Sequence, residues 1–326
     1  MYPKIVSTFH FSEESLKLLE KAAEADIVNC ASLTDEKVQP LAHEAEIICA
    51  PTLPANWHEL FPRLRWLQSS AAGTNHLPAS LVTSKSGIIV TTASGVHAHN
   101  IAEYVICSML MFNRSWPQLV EAQRQHKWLH RSYQGGSFSS RELIGRSIGI
   151  VGLGHIGRRI AQLARAFGMR VLATRFSAKE DGQDADVDQL FAWQHLHELL
   201  KQSDYVVLSV PLTKETTKLI SEPELQAMRN DAYLVNIARG NVIDEPALIR
   251  ALQEGQIGGA GLDVTAQEPL PADSPLYELP NVILTPHLSG HTEHYDQRLA
   301  AIFADNLRRY RSGEHLTNQY NASRGY

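Results

Sequence analysis

Residues 147–168 read SIGIVGLGHIGRRIAQLARAFG. Ser147 to Val151 is a short apolar, β-branched run with the character of a buried strand. Ile156 to Phe167 repeats its apolar residues at helical spacing. Between them Gly152, Gly154 and Gly157 stand in G-x-G-x-x-G order. The first glycine permits a tight turn, the second lets the backbone approach a ligand, and the third allows close helix–strand packing. That spacing is common by itself and becomes specific only between a strand and a helix, as it is here. The unpaired N–H groups that open the helix, aided by its dipole, suit a pyrophosphate. A purely structural strand–turn–helix corner is the competing reading.

The next strand reads Arg170 to Thr174. At its end, about 20 residues past the glycines, a NAD site carries Asp or Glu to accept from the ribose 2′-OH. Arg175 stands there instead. A guanidinium cannot accept that bond, but it can clamp a 2′-phosphate. Thr174, Ser177 and Lys179 are further donors nearby. This favours NADP(H) over NAD(H). The competing reading is an exposed strand-end arginine beside NAD bound without help from a carboxylate.

Further out, short apolar runs alternate with amphipathic stretches, the signature of parallel sheets covered by helices. Upstream, strands are expected at Lys4 to Thr8, Ile27 to Val28, Ile47 to Cys49 and Trp66 to Gln68, with a Ser12-capped helix to Ala23. A long apolar helix spans about Asn100 to Phe112, and the polar stretch Gln118 to Arg141 reads as a helix followed by an exposed loop or arm. Downstream, strands are expected at Tyr205 to Ser209, Ala232 to Asn236, Ile257 to Asp263 and Val282 to Leu284. Helices are expected at Leu196 to Lys201, Glu222 to Met228, Glu245 to Glu254 and Thr292 to Tyr310. The fold class is α/β, and 326 residues at about 150 per domain suggest two units.

Composition narrows the function classes. Hydrophobic residues are 44% and charged residues 20%, with a formal net charge of −5. Near balance does not mark a nucleic-acid or acidic-membrane partner, and no apolar run reaches the roughly 18 residues of a membrane span. Cys30, Cys49 and Cys107 show no C-x-x-C spacing and read as three reduced, buried thiols. No basic and apolar leader opens the chain, so a cytoplasmic location is expected. The pairs His97/His99 and His195/His197 are two apart, point to different faces on a helix, and come with no evident third ligand; His291 and His294 are helix-compatible and are expected to line or flank the cleft. No metal site is expected.

Three later segments end apolar runs in ionisable side chains: VNIARG with Arg239, GLDVTAQEP with Asp263 and Glu268, and LTPHLSG with His287. In open α/β sheets ligands bind beyond the carboxyl ends of strands, so the three segments are expected to line one cleft. A 2-keto acid needs a cation for its carboxylate and carbonyl, which Arg239 supplies as a planar fork. The keto oxygen needs a proton as hydride reaches carbon, and His287 is the natural acid, or base in reverse. Glu268 can fix the imidazole tautomer and favour its charged form. Arg239, Glu268 and His287 are therefore expected to converge.

The segments GLGHIG, VPLTKETTKLI, LVNIARGNVIDEPALIRAL, GAGLDVTAQEP and DSPLYELPNVILTPH, in this order, resemble the D-isomer-specific 2-hydroxyacid dehydrogenase family over nearly the whole chain. The resemblance implies two doubly wound parallel-sheet domains: a Rossmann nucleotide-binding domain at 99–290 and a flavodoxin-like substrate domain at 1–98 and 291–326. It implies Arg239, Glu268 and His287 as catalytic residues. Beside the coenzyme it implies His155 and Ile156 at the pyrophosphate, Val210, Pro211, Thr213, Ile237, Ala238, Arg239, His287 and Gly290 along it, and Asp263 at the nicotinamide carboxamide. Ser69 to Asn75 (SSAAGTN) resembles the family's GAG-type loop, so Ala72, Gly73 and Thr74 would offer backbone N–H groups to a substrate carboxylate, with Arg239 and His287 as the other substrate contacts. Ala72 replaces the loop's first glycine, and Arg175 resembles the NADP-using glyoxylate/hydroxypyruvate reductase branch. A small 2-keto or 2-hydroxy acid is the implied partner, and a homodimer the implied assembly. The alternatives are a NAD-dependent D-2-hydroxyacid dehydrogenase and a dinucleotide-sensing protein like the family's corepressors.

Overall fold

The computed structural model describes residues 3–30, 32–33, 39–74, 76–83, 86–129 and 141–322. The chain divides into two compact units, Met1–His97 with Thr292–Tyr326, and Ala98–His291. The loop expected before Arg141 falls at 130–140, outside the described residues.

In the first unit, β1 (Lys4–Ser7), α1 (Glu13–Ala23), β2 (Ile27–Asn29), α2 (Gln39–Ala42), β3 (Ala45–Ala50), α3 (Trp57–Leu60), β4 (Trp66–Ser69) and β5 (Ile89–Thr91) follow one another. The strands lie in the order β2-β1-β3-β4-β5, and every pairing is parallel. That is the flavodoxin-like winding, with its switch point between β1 and β3. Side chains alternate across the sheet with period two. Ile5, Ile47 and Cys49 enter one core, and Val6, Ile48 and Ala50 enter the other. Ser12 caps α1 by accepting from the Ser15 N–H at 3.3 Å.

The second unit opens with α4 (Ala98–Asn113) and α5 (Trp116–Arg124), followed by β6 (Ser147–Val151), α6 (His155–Ala166), β7 (Arg170–Thr174), β8 (Gly182–Asp184) and β9 (Val187–Phe191). It continues through α7 (Leu196–Lys201), β10 (Tyr205–Leu208), α8 (Glu222–Ala227), β11 (Tyr233–Asn236), α9 (Glu245–Gln253), β12 (Gly259–Leu262) and β13 (Val282–Leu284). The strand order is β13-β12-β11-β10-β6-β7-β9-β8, parallel throughout except for the β8–β9 hairpin. This is the Rossmann winding, with order reversing between β6 and β10. On β10, Tyr205 and Val207 face the core under α4 and α6, and Val206 and Leu208 face the core under α7, α8 and α9. Each fully buried aliphatic side chain of these strands contributes about 1.5–3 kcal/mol.

The chain then closes the first unit with α10 (Tyr295–Ser312), which lies along α1. Asp296 accepts from the Ser12 and Ser15 hydroxyls at 2.6 Å each, joining the starts of the two helices. Most strands of both parallel sheets follow from the alternation of the sequence, and their doubly wound order agrees with what the family resemblance implies. Three features are not expected from it. Strand β5 forms at Ile89–Thr91, where no strand is expected. The polar stretch 182–191 folds as an antiparallel hairpin where no strand is expected, because its residues lack apolar alternation in β8. Cys107, expected to be buried, is exposed on the outer face of α4, whereas Cys30 and Cys49 are buried.

Candidate active site

The glycine turn after β6 is built for close backbone approach. Gly152 has φ +106°, a conformation closed to other residues, and a Cβ there would meet the Ser209 carbonyl at 2.8 Å. A Cβ on Gly157 would fall 2.3 Å from the Gly152 carbonyl, so α6 can sit this close only with glycine. Around Gly154 the space for a Cβ is open, and no side chain caps the helix that starts at His155. The first-turn N–H groups thus face an open cradle, with His155 exposed and Ile156 half-buried. Beside it, at the end of β10, Val210 is buried and the loop from Pro211 folds on itself. Thr216 donates to the Pro211 carbonyl at 2.6 Å and accepts from the Thr213 N–H at 2.7 Å.

Thr174 closes β7 fully buried, and its Oγ1 has no hydrogen-bond partner; neither has the buried Nε of Arg175. Ser177 and Lys179 are exposed beyond them. The open cradle and these unsatisfied polar atoms fit a dinucleotide. Arg175 does not stand alone. Its Nη1 lies 3.8 Å from Oδ2 of Asp184, which is held bidentate by Arg158 at 2.8 and 2.9 Å. Arg158 also bonds Asp186. The Arg158 bond holds the Asp184 carboxyl down at about 2.

Beyond β11 to β13 the three ionisable segments meet in part. Nδ1 of His287 is 2.8 Å from Oε2 of Glu268. The other oxygen of Glu268 accepts from the Thr265 N–H at 3.2 Å. Both side chains are about half exposed, 48% and 40%. Arg239 does not join them as expected: its Nη1 donates to the Ala238 carbonyl at 2.6 Å, and it bonds neither Glu268 nor His287. Its turn nevertheless touches theirs. A Cβ on Gly240 would stand 1.9 Å from the Thr265 carbonyl carbon, so the Arg239 turn is pressed against the loop that carries Glu268. Buried Asn236 shapes that turn, donating to the Arg239 carbonyl at 3.1 Å and accepting from the Ala238 N–H at 3.0 Å. Ile237 and Ala238 are buried beside it.

His287 sits at φ +56°, in the left-handed region, uncommon for a residue with a Cβ. Asp263 holds it there. The Asp263 carbonyl accepts from the His287 N–H at 2.8 Å, and its buried carboxylate accepts from the Leu288 N–H at 2.8 Å, the Ser289 N–H at 3.0 Å and the Thr285 hydroxyl at 2.6 Å. The Ser289 hydroxyl bonds it too. Asp263 is thus deeply committed to the His287 loop, a role the sequence reading did not assign. Helix α4 pins the same loop from above. Asn100 donates to the Ser289 carbonyl at 2.8 Å, and Tyr104 bonds the Thr285 hydroxyl at 2.7 Å. Gly290 follows, half-buried. Burial pushes the Tyr104 hydroxyl up to about 12. The available signal was the i, i+4 pair of polar residues in an apolar helix.

In the first unit, Ala72, Gly73 and Thr74 are half-buried, and their N–H groups donate to no partner among the described residues. Asn75 of the same loop lies outside the described residues. His195 pairs with Asp181 and His197 with Glu224, so that histidine pair splits between two carboxylates. Among the described residues no three His, Cys, Asp or Glu side chains are grouped to hold a metal, and no helix is long and apolar enough to cross a membrane.

Comparison with known proteins finds relatives along nearly the whole chain. The family profile described as D-isomer specific 2-hydroxyacid dehydrogenase, NAD binding domain, matches residues 106–289. A glyoxylate reductase from Korarchaeum cryptofilum is 34% identical over 98% of this chain and 97% of that protein. A glyoxylate reductase from Pyrococcus furiosus is 35% identical over 96% of this chain and 94% of its own length. Among solved structures, a D-isomer specific 2-hydroxyacid dehydrogenase from Xanthobacter autotrophicus Py2, in complex with NADPH and MES, superposes with a TM-score of 0.81, at 28% identity and over 100% of both chains.

Proposed function

The chain belongs to the D-isomer specific 2-hydroxyacid dehydrogenase family, oxidoreductases acting on the CH–OH group of 2-hydroxy acids, and from that premise we propose that it reduces a small 2-keto acid of the glyoxylate or hydroxypyruvate type with NADPH to the D-2-hydroxy acid, working in the cytoplasm as a homodimer. The observation that carries the reaction class is the His287–Glu268 pair at 2.8 Å. The observation that favours NADPH is Arg175 at the end of β7, where a NAD site carries a carboxylate.

The coenzyme, when bound, supplies the hydride, and the rest falls to side chains of this chain. With Nδ1 engaged by Glu268, the imidazole of His287 carries the transferable proton on Nε2. It gives that proton to the keto oxygen as negative charge develops there, and recovers it from the hydroxyl in reverse. Glu268 is in place to fix the tautomer and balance the imidazolium. Arg239, exposed on a turn fixed by Asn236, exchanges its bond to the Ala238 carbonyl for the substrate's carboxylate and carbonyl oxygens. Ala72, Gly73 and Thr74 are assigned to the carboxylate through their undonated N–H groups. The glycine cradle with His155 and Ile156 holds the pyrophosphate, and Thr174, Arg175 and Ser177 the 2′-phosphate.

A panel of 2-keto acids assayed in parallel with NADPH and NADH tests this. Turnover of glyoxylate or hydroxypyruvate with the higher kcat/KM for NADPH is expected. A higher value with NADH would overturn the coenzyme reading, and silence across the panel would replace the enzyme with a dinucleotide sensor. Sedimentation equilibrium reads the dimer directly.

A further inference from the structure

We propose that Asp184, on the β8–β9 hairpin, is a specificity-determining residue that sets the coenzyme preference by competing with the 2′-phosphate for Arg175. The proposal rests on the reading that Arg175 meets the adenosine ribose. Asp184 lies between two guanidinium groups from different elements. Arg158, in the first turn of α6, binds both its oxygens at 2.8 and 2.9 Å, while Arg175, just past β7, stands 3.8 Å from one of them. The carboxylate side chain is only 11% exposed, so water screens it poorly. Arg158 also bonds Asp186, so two cations and two anions cancel within this cluster.

The geometry is asymmetric, and that asymmetry is the device. Asp184 is anchored to Arg158 by a two-pronged bond and reaches Arg175 only beyond hydrogen-bond distance. Arg175 keeps its buried Nε without a partner and its side chain 42% exposed. It is attracted to Asp184 but not immobilised, and so remains free to turn to another anion. A 2′-phosphate brings close to two negative charges, gains the planar fork of Arg175, and meets the fixed charge of Asp184 as an opponent. A bare 2′-OH meets no such opposition. Asp184 therefore narrows the advantage that Arg175 gives to the phosphorylated coenzyme, leaving a site that prefers NADPH without excluding NADH.

The test uses the whole protein and two adenosine fragments, 5′-AMP and 2′,5′-ADP, whose affinities are measured by isothermal titration calorimetry. Their ratio isolates the 2′-phosphate and requires no turnover. Asp184→Asn is expected to raise the preference for 2′,5′-ADP by about 3- to 10-fold, and the gain should vanish in an Arg175→Ala background. Arg158→Gln, which frees Asp184 to turn to Arg175, is expected to lower the preference, again only while Arg175 is present; it decides the matter if Asp184→Asn fails to fold. An unchanged ratio in Asp184→Asn, or an equal gain with and without Arg175, overturns the proposal. A ratio that Arg175→Ala leaves untouched overturns instead the underlying reading of Arg175, and the role of Asp184 falls with it.

Discussion

Nδ1 of His287 and Oε2 of Glu268 stand 2.8 Å apart although 19 residues of chain separate them. The pair divides the work of proton transfer: one ring nitrogen is held, leaving the other for the substrate. His287→Ala is expected to lower kcat by about 10²–10⁴-fold while NADPH affinity, read by fluorescence titration, changes little. Glu268→Gln keeps an acceptor for Nδ1 but removes the carboxylate charge that assists the bond, which for a charged partner is worth up to about 1.5–3 kcal/mol, so a fall in kcat/KM of up to about 10- to 150-fold is expected. Wild-type turnover in either variant would remove the pair from the mechanism.

Gly240 shows how the Arg239 turn is coupled to the loop bearing Glu268. A methyl group there would overlap the Thr265 backbone at 1.9 Å, where nothing flexible can yield. Gly240→Ala is expected to destabilise the protein by about 1–3 kcal/mol or more and to depress kcat further than the stability loss explains. Urea unfolding beside steady-state kinetics separates the two effects. An alanine variant with unchanged stability would contradict this packing.

Tyr104 braces the His287 loop through Thr285, which donates to Asp263. Tyr104→Phe leaves the ring and removes one hydrogen bond, for an expected loss of about 0.5–1.5 kcal/mol and a modest fall in kcat. Because burial pushes the Tyr104 hydroxyl up to about 12, the group stays protonated from pH 6 to 9. The ratio of variant to wild-type kcat should therefore be flat across that range, and a pH-dependent ratio would contradict the assignment.

Asp184 links the coenzyme-side hairpin to acid stability. The Arg158 bond holds its carboxyl at about 2, below the unfolded value of about 3.9. A depressed carboxylate stabilises the fold above its unfolded value and loses that contribution as pH falls through the folded one. The stability gap between wild type and Asp184→Asn is thus expected to hold from pH 7 to 5 and to narrow from about 4 downward. Thermal melts along that series read it, and a gap that widens on acidification would have the wrong sign.

Much of the fold was legible because its signals are local. The run into Gly152 and the apolar period of α6 announce a strand, turn and helix within 20 or so residues, and most other strands follow from the same alternation, β5 and the β8–β9 hairpin excepted. The site was legible only as candidates. Glu268 and His287 stand at strand ends as expected, but Arg239 turns to its own Ala238 carbonyl, and the commitment of Asp263 to the His287 loop is invisible in GLDV. The β8–β9 hairpin escaped because a polar stretch such as DGQDADVDQ lacks the alternation that marks a strand.

The amino-acid sequence by itself determined the α/β class, the strand–glycine turn–helix unit and the family resemblance, since periodicity, glycine spacing and motif order are read along the chain. Which side chains pair was decided only by the tertiary structure. Strand order and register brought Glu268 to His287, Asn100 and Tyr104 to the His287 loop, and Asp184 between Arg158 and Arg175. A contact between distant residues depends on where whole elements pack, and no short stretch of chain encodes that placement.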